Sequence, residues 1–101
     1  MYRVDVIRSF ADETTRDLFG GLNSKAARRI PNSMWKAAQR KLKQIDLVMR
    51  VDELRIPPGN DLHPLKGDQV GRHAIKVNDQ YRITFRWEGH DAYDVCCEDY
   101  H

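Results

Sequence analysis

The chain has 101 residues, with 17 Lys plus Arg against 15 Asp plus Glu and a hydrophobic share of 41%. This is the size and balance of one small globular domain over residues 1–101 and leaves no length for a second. No stretch approaches the roughly 20 apolar residues of a membrane span, and the opening MYRVDVIRSF alternates instead of carrying an apolar signal core, so a cytoplasmic protein with no membrane partner is expected.

The net charge of +2 hides an asymmetry: residues 1–24 sum to −1, residues 25–50 to +7 and residues 51–101 to −4. The middle excess is either a surface for phosphates or an acidic partner protein, or a solvated helix face. Cys96 and Cys97 are adjacent and cannot staple distant segments, which fits two small buried or half-buried thiols in a reducing compartment.

Tyr2, Val4 and Val6 alternate with Arg3 and Asp5, the period of a half-buried strand over residues 2–8. Ser9, with Asp12 three positions on, is close to a capping box. Phe10, Leu18, Phe19 and Leu22 then recur at helical spacing until Gly20 and Gly21 interrupt, which predicts a short helix over residues 10–20. From Pro31 to about Arg50 there is no glycine. Met34, Trp35, Ala38, Leu42, Ile45 and Met49 form one apolar stripe of a longer helix, and Lys36, Arg40 and Lys43 lie on its other side.

RIPPGN (Arg55 to Asn60) breaks regularity. HAIKV (His73 to Val77) turns back through Asn78-Asp79 into YRITFRW, where Tyr81, Ile83, Phe85 and Trp87 make an apolar face and Arg82, Thr84 and Arg86 a polar one. Gly89 supplies the next turn, and the last strand is expected to point Tyr93, Val95 and Cys97 inward. The order is that of an α+β domain: an N-terminal strand, two helices on one face of the sheet, then an antiparallel meander of three to four strands.

The polar groups around these strands are His63 and Lys66 in LHPLKGD, Arg82 in QYRITF, and Asp99, Tyr100 and His101. As residue types they could cleave RNA without metal, which takes a base at the 2′-hydroxyl, an acid at the leaving 5′-oxygen and cations on the phosphate. Surface salt bridges would account for the same side chains. Asp99 and His101 share the inward parity of Val95 and Cys97, so they reach such a site only where the strand ends or bends. The histidines lack helical ligand-pair spacing and no CxxC occurs, which argues against zinc. No Gly-rich phosphate loop or Ser-centred nucleophile motif is present, and no cofactor is expected.

LHPLKGD (Leu62 to Asp68), Gly71, IKVNDQYRITF (Ile75 to Phe85), DAYDV and EDYH (Glu98 to His101), together with IRSF (Ile7 to Phe10), the basic second helix and PPGN, resemble the HigB toxins of bacterial type II toxin-antitoxin modules within the RelE/ParE superfamily. The likeness spans nearly the whole chain, with GLNSKAARR (Gly21 to Arg29) reading as a connector of its own. It implies a RelE/ParE-like fold and a ribosome-dependent endoribonuclease that cuts mRNA in the A site and inhibits translation. The implied partners are a HigA-like helix-turn-helix antitoxin, the ribosome with its ribosomal RNA, and mRNA.

The resemblance also implies roles: His63 and His101 as proton-transfer groups, Lys66 and Arg82 as cations on the phosphate, Tyr100 as a stacking or positioning group, and Asp99 as an orienter of a neighbouring histidine or a proton acceptor. Lys36, Arg40 and Lys43 would bind RNA. Two other expectations compete: a non-enzymatic ParE-like inhibitor of DNA gyrase, and a basic module that only docks RNA or an acidic partner.

Overall fold

Two amphipathic helices and a run of alternating strands must bury their apolar sides against one another, and they do so in two layers. The computed structural model describes residues 5–100. Its helices are α1 (Glu13–Phe19) and α2 (Trp35–Leu47). Its strands are β1 (His63–Pro64), β2 (Arg72–Lys76), β3 (Tyr81–Glu88) and β4 (Asp91–Asp99), with short 3-10 turns between. The strands form one antiparallel sheet in the order β1-β2-β3-β4. Leu18 of α1 and Ala38, Leu42 and Ile45 of α2 share a core with Ile75, Ile83, Phe85, Val95 and Cys97 of the sheet. No helix among the described residues is long and apolar enough to cross a membrane.

Four local expectations are corrected. The strand expected over residues 2–8 falls partly outside the described residues. In the described part Ile7 bridges Ala92 of β4 in parallel, and Phe10 just beyond it bridges Val95, without a continuous ladder. The two bridges do not join because Asp94, between them on β4, turns to φ 52° and gives its N–H to the Ser9 hydroxyl instead of to a ladder carbonyl. The N–H groups of Val6 and Ile7 both donate to Oδ1 of Asp46 on the last turn of α2, at 2.9 Å each. Helix α1 starts later than the Ser9 signal implied, because Asp12 caps it by accepting from the Thr15 N–H at 2.8 Å, while the Ser9 hydroxyl accepts from the Asp94 N–H at 2.8 Å.

Helix α2 stops at Leu47, since Val48 is extended. Val48 therefore takes the buried position and Met49, expected in the apolar stripe, is 59% exposed. Finally, Tyr93 does not point inward. The pairing steps from Thr84↔Cys96 to Arg86↔Tyr93, so β4 carries one extra residue, and Asp94 sits there at φ 52°. The bulge reverses the alternation: Ala92, Val95 and Cys97 are buried, and Tyr93 lies instead under Arg86, with its ring centre 4.8 Å from Cζ.

The RIPPGN connection is anchored by a buried asparagine. Asn60 accepts from Lys41 Nζ at 2.5 Å and donates to Gln44 Oε1 and to the Leu54 carbonyl. This ties the loop to α2 and fixes where Asp61 and His63 emerge. GLNSKAARR is likewise ordered, with Ala26 and Ala27 buried, as is Ile30 just after it, and with Ser24 donating to Asp17 at 2.6 Å.

Candidate active site

Alternation along β3 places Ile83 and Phe85 in the core and Arg82, Thr84 and Arg86 on the opposite face of the sheet. Across the ladder, Lys76 of β2 stands opposite Arg82 on one side and Glu98 of β4 on the other. Asp61, His63, Ile75, Lys76, Arg82 and Tyr100 line a hollow of about 240 Å³ here. It gathers two cations, one imidazole, one phenol and one carboxylate.

Each group is held by a named partner. Arg82 is gripped by Glu98 Oε2, at 3.0 Å from Nε and 2.7 Å from Nη2, and its guanidinium carbon lies 5.4 Å from the centre of the Tyr100 ring. The Tyr100 hydroxyl donates to the Asn78 carbonyl at 3.2 Å, and its backbone N–H to the Gln80 carbonyl at 3.1 Å. The β2–β3 turn thus positions the ring. That turn is itself closed by the Asn78 side chain, which accepts from the Gln80 and Tyr81 N–H groups.

His63 lies 2.7 Å through Nδ1 from the Asp61 carbonyl. A carbonyl can only accept, so Nδ1 carries the proton and Nε2 is left as the basic nitrogen of the neutral ring. Lys76 pairs with Asp79 at 3.1 Å. The hydrogen bond and charge of Asp79, followed by Tyr100 and Asp61, raise its pKa, so it stays protonated at neutral pH.

Of the residues singled out in the sequence, the structure brings together His63, Arg82 and Tyr100. Asp99, the last residue of β4, stands opposite Tyr81 and accepts from Gln80 Nε2 at 2.9 Å. It does not line the hollow. Lys66 is exposed at the start of the turn Gly67–Gln69 and also lies outside the lining. His101 is outside the described residues.

Lys76, Glu98 and Asp61 belong to the surroundings of Arg82 but were missed as site residues. One signal was present: a turn centred on Asp79 in IKVNDQYRI mirrors Lys76 onto Arg82. On the helix layer, Lys36, Arg40 and Lys43 are exposed and line, with Phe19, Gly20, Gly21 and Gln39, an open groove of about 600 Å³. Three of the eight basic residues of the middle segment therefore share one surface.

Comparison with known proteins bears on this arrangement. The family described as the RelE-like toxin of the type II toxin-antitoxin system HigB matches residues 8–101. The chain is 43% identical over 65 residues to "Toxin HigB-1" of Vibrio cholerae, covering 64% of this chain and 68% of that one. It is also 43% identical over 61 residues to "Endoribonuclease HigB" of Proteus vulgaris, covering 60% of this chain and 65% of that one. Among solved structures, a YoeB/ParE toxin from Agrobacterium tumefaciens superposes with a TM-score of 0.53 over 93% of this chain and 99% of its own, at 14% identity. That likeness shows a shared fold.

Proposed function

Because the chain belongs to the HigB family of RelE-like toxins of type II toxin-antitoxin systems, we propose that it is a single-domain toxin whose activity is endonucleolytic cleavage of mRNA in the ribosomal A site. The hollow that joins His63, Lys76, Arg82 and Tyr100 on one face of the sheet supports this most directly. The ribose 2′-oxygen attacks the adjacent phosphorus, a P–O bond forms to it, and the P–O5′ bond breaks. The products are a 2′,3′-cyclic phosphate and a 5′-hydroxyl.

The residues divide this work by their chemistry, with no metal ion required. His63, basic at Nε2, takes the 2′-hydroxyl proton. Arg82 and Lys76 bear the negative charge that grows on the phosphate oxygens, and Tyr100 packs against the RNA. His101, which follows Tyr100 in the chain, is assigned the proton delivered to the leaving 5′-oxygen. Asp99 steadies the end of β4 through Gln80, and Lys66 approaches RNA outside the hollow.

Lys36, Arg40 and Lys43 form a separate surface for ribosomal RNA, held away from the chemistry on the helix layer. A type II toxin is paired with an antitoxin, here a HigA-like helix-turn-helix protein.

Mapping mRNA ends after induction tests the proposal. Cuts within or beside the A-site codon, bearing 2′,3′-cyclic phosphate and 5′-hydroxyl ends, are expected. Growth arrest with no new mRNA ends would overturn it and favour the gyrase alternative.

A further inference from the structure

We propose that Glu98 is a positioning residue for Arg82: its carboxylate fixes one edge of the guanidinium so that the other edge stays open to a phosphate in the hollow. The inference rests on the proposed nuclease reading for its consequence in cleavage, and on geometry alone for its cause. A guanidinium has five N–H donors arranged as two forks, one along the Nε–Nη2 edge and one at the Nη1–Nη2 end. Glu98 Oε2 takes the Nε hydrogen at 3.0 Å and one Nη2 hydrogen at 2.7 Å, which uses up the first fork. Three N–H groups remain, two of them forming the second fork, and Arg82 is among the residues that line the hollow.

The register makes this grip a property of the sheet. Arg82 and Glu98 are direct partners across the β3–β4 ladder, so their side chains leave neighbouring strands on the same face. The Tyr100 ring covers the guanidinium at 5.4 Å. Both side chains of the pair are partly shielded, at 20% and 29% exposure, which limits but does not remove competition from water for the carboxylate.

An alternative role for the same carboxylate is as a stand-in for the phosphate, displaced when RNA arrives. The two roles differ in sign. A positioning carboxylate stays on Nε while phosphate binds the other edge, and its removal slows the chemical step. A competing carboxylate leaves Nε when phosphate binds, and its removal tightens binding.

The test combines nitrogen-15 NMR of the Arg82 Nε–H during titration with inorganic phosphate and single-turnover cleavage on programmed ribosomes. The variants are Glu98→Gln, which keeps shape and an accepting oxygen, and Glu98→Ala. We expect the Nε–H of the parent to be protected from exchange and to remain so at saturating phosphate. Cleavage at saturating toxin should fall about tenfold in Glu98→Ala and less in Glu98→Gln, with the half-saturating concentration nearly unchanged.

Loss of Nε–H protection on adding phosphate, or a Glu98→Ala protein that cuts at the parent rate, would overturn the proposal. A parent protein that cuts no mRNA would overturn the nuclease reading instead, and the phosphate titration would still decide the role of Glu98.

Discussion

Replacing Arg82 with alanine separates what this side chain does for the fold from what it does for the reaction. Its folding contribution is the pair with Glu98, whose two side chains retain 20% and 29% exposure. Pairs of this openness contribute up to about 1 kcal/mol. The apolar side of β3 is untouched, since Ile83 and Phe85 are fully buried on the other face. A loss of that size lowers the midpoint of thermal unfolding by about 4–8 °C at most in a domain of this length. The reaction loses more. One preorganised cation on a developing phosphate charge is worth about 3 kcal/mol, which is on the order of a hundredfold in rate.

The expected signature is therefore a folded protein with a small shift in melting and a hundredfold slower single turnover on programmed ribosomes. Growth inhibition should be lost on induction. Arg82→Lys, which keeps the charge without either fork, should fall between parent and alanine. A soluble Arg82→Ala protein that cuts at the parent rate would remove Arg82 from the mechanism. A melting point lowered by well over 8 °C would recast it as a structural residue.

Other expectations follow from the same geometry. Lys76→Met should slow cleavage about tenfold and by more than Lys66→Met does, because only Lys76 lines the hollow; the reverse ranking in single-turnover assays would return the phosphate cation to Lys66. Burial above all, with help from nearby carboxylates, pushes both cysteine thiols up to about 12. Native protein at pH 8 should then react with iodoacetamide orders of magnitude more slowly than unfolded protein, and rapid modification of both thiols in the native state would contradict this.

Burial, followed by the charge of His63, holds the His73 pKa below its ordinary 6.5. The folded state therefore binds that proton less readily than the unfolded chain, and the native protein loses stability as pH falls from about 6.5 toward the lower folded value. His73→Phe keeps a ring on Phe85, where the present centroids are 5.9 Å apart, and removes the buried Nδ1 that has no hydrogen-bond partner. Urea unfolding at pH 7 and pH 5 should show a flatter pH dependence for this variant, and an unchanged dependence would refute the assignment.

What could be read from sequence here is what a single element decides for itself. The alternation of Tyr81 to Trp87 places Arg82 on the outer face of β3, and the 3.6-residue period places Lys36, Arg40 and Lys43 on the exposed side of α2; both stand in the structure. The family likeness adds His63 and Tyr100 as candidate site residues, and the fold brings both to the same hollow as Arg82. Met49 fails because a periodic pattern does not mark where a helix stops, and Val48, extended just beyond Leu47, ends this one.

The rest depends on register, which is set between elements. Lys76 and Glu98 become neighbours of Arg82 only once the β2–β3 turn and the β3–β4 pairing are fixed. Neither is implied by the composition of its own strand. The extra residue in β4 has the same character: Asp94, at φ 52°, is received by contacts from distant segments, with its N–H donated to the Ser9 hydroxyl and its carbonyl accepting from Arg72 at 2.8 Å.

Counting back from Cys97 by twos would put Tyr93 inside, and only the bulge moves it outside. The same bulge separates β4 into two stretches, so the alternation from Val95 onward is set independently of the β3–β4 turn. It is this later stretch that puts Glu98 across from Arg82 and ends the strand at Asp99, beside the turn that holds Tyr100. Without the extra residue, a ladder continued from Arg86↔Tyr93 would pair Arg82 with Cys97 in place of Glu98, and the carboxylate would fall on the core side of the sheet.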